Sequence, residues 1–358
     1  MIVRYGKNAK GKTVKLAVIY TKEEHCLDRH DIDHDALFIC DRLRNAGYKS
    51  YIVGGAVRDL LLKNNPNDFD IVTDALPGTI RKIFRFSRII GRRFRLVHVS
   101  LGKTVYEVST FRSGNTETKD NNSFGTMAED VWRRDFTINS LYFCPKEEQI
   151  IDFTGGYKDI KKKLVKPVIP LKTIFLEDPV RIIRAVKYSV MIGGDLPFFL
   201  KMRIKRHSKE LVSCSPSRLT EEILKILKSE HTAEIFQKLA DLGILKIVLP
   251  GVCEILKNRY FYERMENFDA LKKSGRVSTD KISALLQPLI EDYIVKFLNF
   301  DIEAARTMRE IVEDVKFFMR PITPPNRDIS EAVKKVIKQN RIRIKPVVRL
   351  SFRDSRAK

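Results

Sequence analysis

Tyr51-Ile52-Val53-Gly54-Gly55-Ala56-Val57-Arg58-Asp59, followed after Pro66-Asn67 by Asp68-Phe69-Asp70, is the stretch whose reading decides the fold. An aromatic and two β-branched residues predict a strand. Gly54-Gly55 predicts a strand-to-helix corner where backbone N–H groups approach an anion without Cβ interference. Arg58 lies one turn into that helix, within reach of the same anion. Strand side chains alternate between faces, so Asp68 and Asp70 are expected to project together with Phe69 behind them. Two carboxylates on one face repel unless a cation sits between them. A hard divalent ion with oxygen ligands meets that need, and Mg2+ brings phosphates with it. A bare Gly-Gly is a weak signal; Gly-Gly, then Arg, then Asp-x-Asp is much stronger.

Working outward, residues 1–31 are polar and basic, with one strand expected at 14–20, and read as an arm. Ala36, Leu37, Ile39, Cys40 and Leu43 recur at helical spacing behind acidic residues suited to a helix start. Downstream, residues 71–73 complete the strand of the two aspartates, and residues 77–86 read as a helix. Phe94, Leu96 and the valines after them alternate as a strand, with Arg92, Arg93 and Arg95 near its start. Residues 105–111 form another strand, in which Glu107 stands among apolar neighbours. It is either an edge residue or a third member of the acidic site, and the pair upstream favours the latter. Residues 113–126 lack apolar periodicity and read as a mobile loop. Arg133-Arg134-Asp135 falls in a stretch opening as a helix, where an intrahelical ion pair is the plain reading. Asp152-Phe153-Thr154-Gly155-Gly156 reads as a turn after a short strand.

From about residue 160 helical patterns take over. Asp178 and Arg181, three apart at a helix start, share a face; such a pair matches the Watson–Crick edge of a base or satisfies itself. Ser215-Pro216 with Glu221-Glu222 reads as a structural N-cap with acids in the first turn. Further helices are expected over 233–242, 281–297 and 302–318.

The chain has 358 residues, enough for two or three domains, and a net charge of +22. That excess makes nucleic acid the leading partner class, against the bland alternative of a generally basic proteome. Residues 321–358 carry eleven Lys/Arg and three Asp/Glu, a net of 11 − 3 = +8. Arg341, Arg343 and Lys345 alternate with isoleucines there, which suggests an RNA-tracking arm rather than a solvated tail. The five cysteines are scattered without a Cys-x-x-Cys pair, as expected of reduced thiols in a cytoplasmic protein. No apolar stretch approaches membrane-spanning length.

At these residues the chain resembles the class II nucleotidyltransferases, the bacterial poly(A) polymerases and tRNA CCA-adding enzymes. Five motifs fall in the family's order: Gly54 to Asp59 with Asp68-x-Asp70; Arg133-Arg134-Asp135; Asp152 with Gly155-Gly156; Glu177-Asp178-x-x-Arg181; and Ser215 to Glu222. The resemblance implies an α+β protein, a small mixed-sheet, polymerase β-like head followed by an all-helical neck, body and tail. Boundaries are expected at 1–31 (arm), 32–155 (head), 156–230 (neck), 231–320 (body) and 321–358 (basic tail). It further implies that Asp68 and Asp70 hold two Mg2+ ions (Mn2+ also suits these ligands), with Glu107 or Asp135 in a further acidic role. Asp135 has ribose contact as its other reading. Gly54, Gly55, Arg58 and Arg134 would hold phosphates; Asp178 and Arg181 would read the base, with Arg184 nearby; Arg92 and Arg93 would join the tail in binding RNA. The segment 89–99 and Arg-Arg-Asp-Phe-Thr-Ile-Asn-Ser-Leu-Tyr resemble the poly(A) polymerase branch, implying a monomer that adds AMP from ATP to RNA 3′ ends. Leu176, where an arginine is common, and the short chain keep CCA addition from CTP and ATP as the alternative. A non-catalytic RNA binder is a third reading, weakened by the intact acidic pair.

Overall fold

The computed structural model describes residues 1–7, 11–91, 95–113, 124–255, 259–297 and 306–345. Two compact units result. The first comprises Met1–Glu177 with Met191–Lys201; the second comprises Asp178–Val190 with Met202–Lys358. Among the described residues no helix is long and apolar enough to cross a membrane.

The first unit is built on a mixed nine-stranded sheet: β1 Ile2–Lys7, β2 Thr13–Tyr20, β3 Ser50–Val53, β4 Asp70–Thr73, β5 Ser87–Ile90, β6 Leu96–Leu101, β7 Thr104–Thr110, β8 Leu141–Cys144 and β9 Gln149–Asp152. Its order is β1-β2-β9-β8-β3-β4-β7-β6-β5, with β4 and β7 parallel and the other neighbours antiparallel. β3 lies at the centre and is buried throughout, which is why its sequence runs apolar without alternating. Tyr51, Val53, Val72, Phe111, Val131, Tyr142 and Ile151 form one packed cluster on a single face. The helix His34–Asn45 buries Ala36, Ile39, Cys40 and Leu43, as the spacing predicts, and Asp33 caps it by accepting from the N–H groups of Asp35 and Ala36.

Two expectations about this unit change, and one strand joins those expected. The first 31 residues are not a separate arm: β1 and β2 join the sheet through β2–β9 pairing, Val18 opposite Asp152 and Tyr20 opposite Ile150. The strand expected through Leu96 and the valines after it forms as β6, and β5, which was not expected, pairs antiparallel with it, Ser87 to Val99 and Ile90 to Leu96. The helix begun at Pro77 ends at Ile83, leaving Phe86 exposed.

Asp152 ends β9 and folds the turn after it. Its Oδ1 accepts from the N–H groups of Thr154 (3.0 Å), Gly155 (2.8 Å) and Gly156 (3.1 Å), and Oδ2 accepts from Tyr157 N–H (3.1 Å). Gly156 is required by contact: a Cβ there would lie 2.0 Å from the Thr137 carbonyl oxygen. Gly156→Ala is therefore expected to cost about 1–3 kcal/mol through overpacking, read as a lower urea midpoint with an unchanged slope. An unshifted midpoint would show that this contact can relax.

The second unit is helical, including Arg181–Met191, Pro216–Lys228, Thr232–Asp241, Arg259–Lys273, Ile282–Asp292, Met308–Phe318 and Asn326–Gln339. Thr307 begins the helix Met308–Phe318 with a capping box, its hydroxyl accepting from Glu310 N–H while Glu310 accepts from Thr307 N–H. The basic tail is not solvated from its start. Asn326–Gln339 buries Ile329, Ala332, Val333, Val336 and Ile337, and Thr323 N–H donates to Thr220 Oγ1 at 2.7 Å. At Ser215 the helix starts where expected, with Pro216 in its first turn. The hydroxyl, however, points to Ser217 (3.2 Å) rather than capping, and Glu221 and Glu222 lie beyond the first turn.

Candidate active site

The glycine corner forms as the sequence predicts. β3 ends at Val53, Gly54 takes φ +72°, and the helix Gly55–Leu61 follows. Val53 pairs with Asp70 across the antiparallel β3–β4 register, so the corner and the first residue of β4 are neighbours by construction. β4 begins at Asp70; Asp68 lies in the irregular segment before it, not within the strand. Both aspartates are exposed and Phe69 is half-buried.

Glycine at 54 has a second purpose besides its left-handed backbone. A Cβ there would stand 3.8 Å from Asp70 Oδ2 and 3.7 Å from Arg134 Nη1. One small volume above Gly54 thus faces a carboxylate on one side and a guanidinium on the other. Arg134 is held there by Asp130 Oδ2, which accepts from Nη2 at 3.0 Å, and by the Tyr142 hydroxyl, which accepts from Nε at 3.1 Å. Tyr142 in turn donates to Asp130 at 2.7 Å. Burial, reinforced by the Asp130 carboxylate and opposed by Arg134, pushes the Tyr142 phenol well above its ordinary value, so it stays a neutral donor. Asp130 and Tyr142 were not singled out from the sequence. Asp130 stands four residues before Arg134, the spacing of a helical ion pair, and could have been read from it; nothing in the position of Tyr142 announces its part.

Arg58 does not open onto this volume. It is 3% exposed, and its guanidinium is engaged beneath the corner. Nη2 donates to Asp59 Oδ1 (2.7 Å) and Oδ2 (3.0 Å), and Nη1 donates to Asn139 Oδ1 (2.7 Å). Asn139 Nδ2 donates onward to Asp135 Oδ1 at 3.2 Å, which also accepts from Phe136 N–H at 2.7 Å. Arg58 and Asp135 are thus joined through Asn139 in a buried network, with Arg58 Nη2 3.7 Å from where a Gly55 Cβ would stand.

The two candidates for a further acidic role now separate. Ile71 pairs with Val108 in the parallel β4–β7 register, so one step back sets Glu107 beside Asp70 on the same sheet face. Its carboxylate is 55% exposed and lies 3.5 Å from His98 Nε2. Asp135 is buried in the network just described.

Two exposed carboxylates with a third on the adjoining strand are hard oxygen donors of the kind Mg2+ or Mn2+ accepts. Among the described residues no three His, Cys, Asp or Glu side chains converge into a complete metal cage. The donor set fits an ion that keeps water and substrate phosphate oxygens in its shell.

Asp178, Arg181 and Arg184 belong to the second unit. Asp178 Oδ1 accepts from Val180 N–H (3.2 Å), and Arg181 Nε lies 4.0 Å from Oδ2. Oδ2 also accepts from Arg218 Nη2 at 2.7 Å, a partner the sequence reading missed because it arrives from forty residues away. Arg184 donates to the Tyr188 hydroxyl at 3.0 Å. Arg341, Arg343 and Lys345 are exposed and alternate with half-buried Ile342 and Ile344, as expected. Lys345 N–H donates to the Arg306 carbonyl at 3.1 Å. Arg92 and Arg93 lie outside the described residues.

Comparison with known proteins agrees with this layout. Residues 50–166 match the family model "Poly A polymerase head domain", and residues 200–256 match "Probable RNA and SrmB- binding site of polymerase A". Poly(A) polymerase I of Salmonella typhi is 37% identical over 260 residues, 68% of this chain and 55% of that protein. The chain thus spans about half the length of the curated poly(A) polymerases it matches. A CCA-adding enzyme of Lactobacillus helveticus is 31% identical over 317 residues, 86% of this chain and 77% of that enzyme. The solved CCA-adding enzyme of Bacillus stearothermophilus with CTP superposes with a TM-score of 0.55 at 25% identity, covering 85% of this chain and 82% of that one.

Proposed function

This chain belongs to the class II nucleotidyltransferase family of bacterial poly(A) polymerases and tRNA CCA-adding enzymes, and from that premise we propose that it extends RNA 3′ ends with AMP from ATP. The RNA 3′-hydroxyl oxygen bonds to the α-phosphorus while the bond to pyrophosphate breaks. The observation that carries this reading is the volume above Gly54, bounded by Asp70 Oδ2 and Arg134 Nη1. A triphosphate needs close backbone approach, a fixed cation and carboxylates for its metal, and these three meet there.

Asp68 and Asp70, with Glu107 as third carboxylate, would hold the divalent ions, which when bound lower the pKa of the attacking hydroxyl and neutralise the leaving group. Arg134, kept in place by Asp130 and Tyr142, sets a positive charge against the phosphates before they arrive, so little reorganisation is needed. Arg58 and Asn139 hold the glycine corner rigid from beneath. Asp178 and Arg181, with Arg218 fixing the carboxylate, present an acceptor and donors to a base edge.

Addition of AMP alone is favoured by the relatives named poly(A) polymerase I, which reach 37–38% identity over 260 residues. CCA addition is the second reading, because the Lactobacillus helveticus enzyme aligns along 86% of this chain. Labelled ATP or CTP offered with an oligo(A) RNA or a tRNA lacking its 3′ end separates them. Repeated AMP addition to the RNA with CTP excluded is the expected result. CTP incorporation that stops after two residues, on tRNA alone, would overturn the poly(A) reading.

A further inference from the structure

The paired strands β1 and β2 outrun the sheet they belong to. β2 meets β9 only through Val18, Ile19 and Tyr20, while its pairing with β1 continues outward through Tyr5–Lys15, Gly6–Val14 and Lys7–Thr13. Beyond Ala17 the two strands form a ribbon with no third strand beside it among the described residues. An irregularity between Arg4 and Tyr5 leaves Leu16 out of the pairing. Leu16 folds over Gly6, where a Cβ would lie within 3 Å of the leucine side chain. This closes one face of the ribbon with apolar contact.

The other face is different. Cross-strand partners and residues two apart share a face, so Tyr5, Lys7, Thr13 and Lys15 stand together. Tyr5 is 65% exposed and both lysines are exposed. Among the described residues Arg4, Lys7 and Lys15 make no ion pair. The sequence gives them no neutralising neighbour: residues 1–20 contain five Lys/Arg and no Asp or Glu. Crowding cations on a two-stranded ribbon costs stability unless an anion is supplied from outside. One aromatic ring beside two lysines matches what single-stranded nucleic acid offers, a phosphate backbone with bases free to stack.

We propose that the Tyr5/Lys7/Lys15 face of this ribbon binds single-stranded RNA upstream of the 3′ end, apart from the carboxylate site. The choice of RNA over another polyanion rests on the proposed function. In the sheet order β2 is four strands from β4, about 19 Å at ~4.8 Å per strand. A strand lying on the ribbon is therefore held at a distance that a di- or trinucleotide does not span.

The test uses the full chain with an unstructured labelled RNA of about 20 nucleotides, its affinity followed by anisotropy as salt is raised. Lys7→Glu with Lys15→Glu is expected to weaken binding about tenfold at ~0.1 M salt and to reduce the log–log salt slope by about 1.4, roughly 0.7 per lost phosphate contact. Tyr5→Ala is expected to weaken binding several-fold with the slope unchanged, because stacking carries no counterion release. AMP addition to a trinucleotide primer should match that of the unaltered chain in all these variants. RNA affinity and salt slope equal to those of the unaltered chain would overturn the proposal. So would loss of binding to anionic lipid vesicles in place of RNA. RNA binding that depends on the ribbon in a chain that incorporates no nucleotide would leave this inference standing and refute the proposed function instead.

Discussion

Asp70→Asn is expected to lower nucleotide incorporation by about three orders of magnitude, roughly 4 kcal/mol of transition-state stabilisation. The substitution keeps size and removes only a charge that a divalent ion needs. Asp70 is exposed at the first position of β4, where surface changes usually move stability by no more than about 0.5 kcal/mol. Chemistry and folding should therefore part company: near-zero incorporation with an unchanged urea midpoint and unchanged RNA binding. Asp68→Ala is expected to behave alike, since both carboxylates serve the same divalent ions. Incorporation at the unaltered rate in Asp70→Asn would sink the metal-site assignment.

Glu222→Ala carries the largest expected effect on stability. Glu222 and Lys187 form an ion pair at 2.9 Å in the helical unit, with side chains 7% and 5% exposed. Removing the carboxylate strands a buried ammonium, at a cost of about 3–5 kcal/mol. Replacing both, as Lys187→Met with Glu222→Leu, is expected to recover most of that loss, because the expensive state is one charge without the other. A Glu222→Ala urea midpoint within error of the parent would refute the assignment.

The pair also sets a pH dependence. Burial opposes the Glu222 charge, but Lys187 and then Arg184 outweigh it, so the carboxyl titrates below its ordinary value. A depressed folded-state value means that the unfolded chain binds the proton more readily. The contribution is fully present above the ordinary carboxylate range and is lost as pH falls through the folded-state value. Lys187→Met/Glu222→Leu should lack that acid step, leaving a shallower fall in urea midpoint with acidification. A fall as steep as that of the unaltered chain would place the step on other groups.

Legibility followed locality. The helix at 34–45, the glycine corner and the strand at 104–110 declare themselves through spacing and through what glycine permits. Other features depend on partners no periodicity names. The long Arg58 side chain turns back to Asp59, its neighbour in sequence, although adjacent helical residues do not ordinarily face each other. Arg218 reaches Asp178 across forty residues. The helix 326–339 was written in the pattern Ile329, Ala332, Val333, Val336, Ile337, yet the charge count of the tail hid it. β1 was missed because most of its residues are exposed and its apolar contact falls on Gly6, so its sequence shows little of the alternation that marks a half-buried strand.

The β2–β9 pairing has a consequence for the order in which the chain assembles. Val18 finds its neighbour Asp152 only after the ribosome has made the residues between them, a wait of roughly 7–27 s at synthesis rates of about 5–20 residues per second. Through that interval the first hairpin has no sheet to join, and the central strand β3 lacks β8. Closure of so long a loop is slow as well as late. The completed sheet is therefore expected to appear in one step as the segment carrying β8 and β9 leaves the ribosome, with nascent chains ending before residue 150 sensitive to protease from β1 onward.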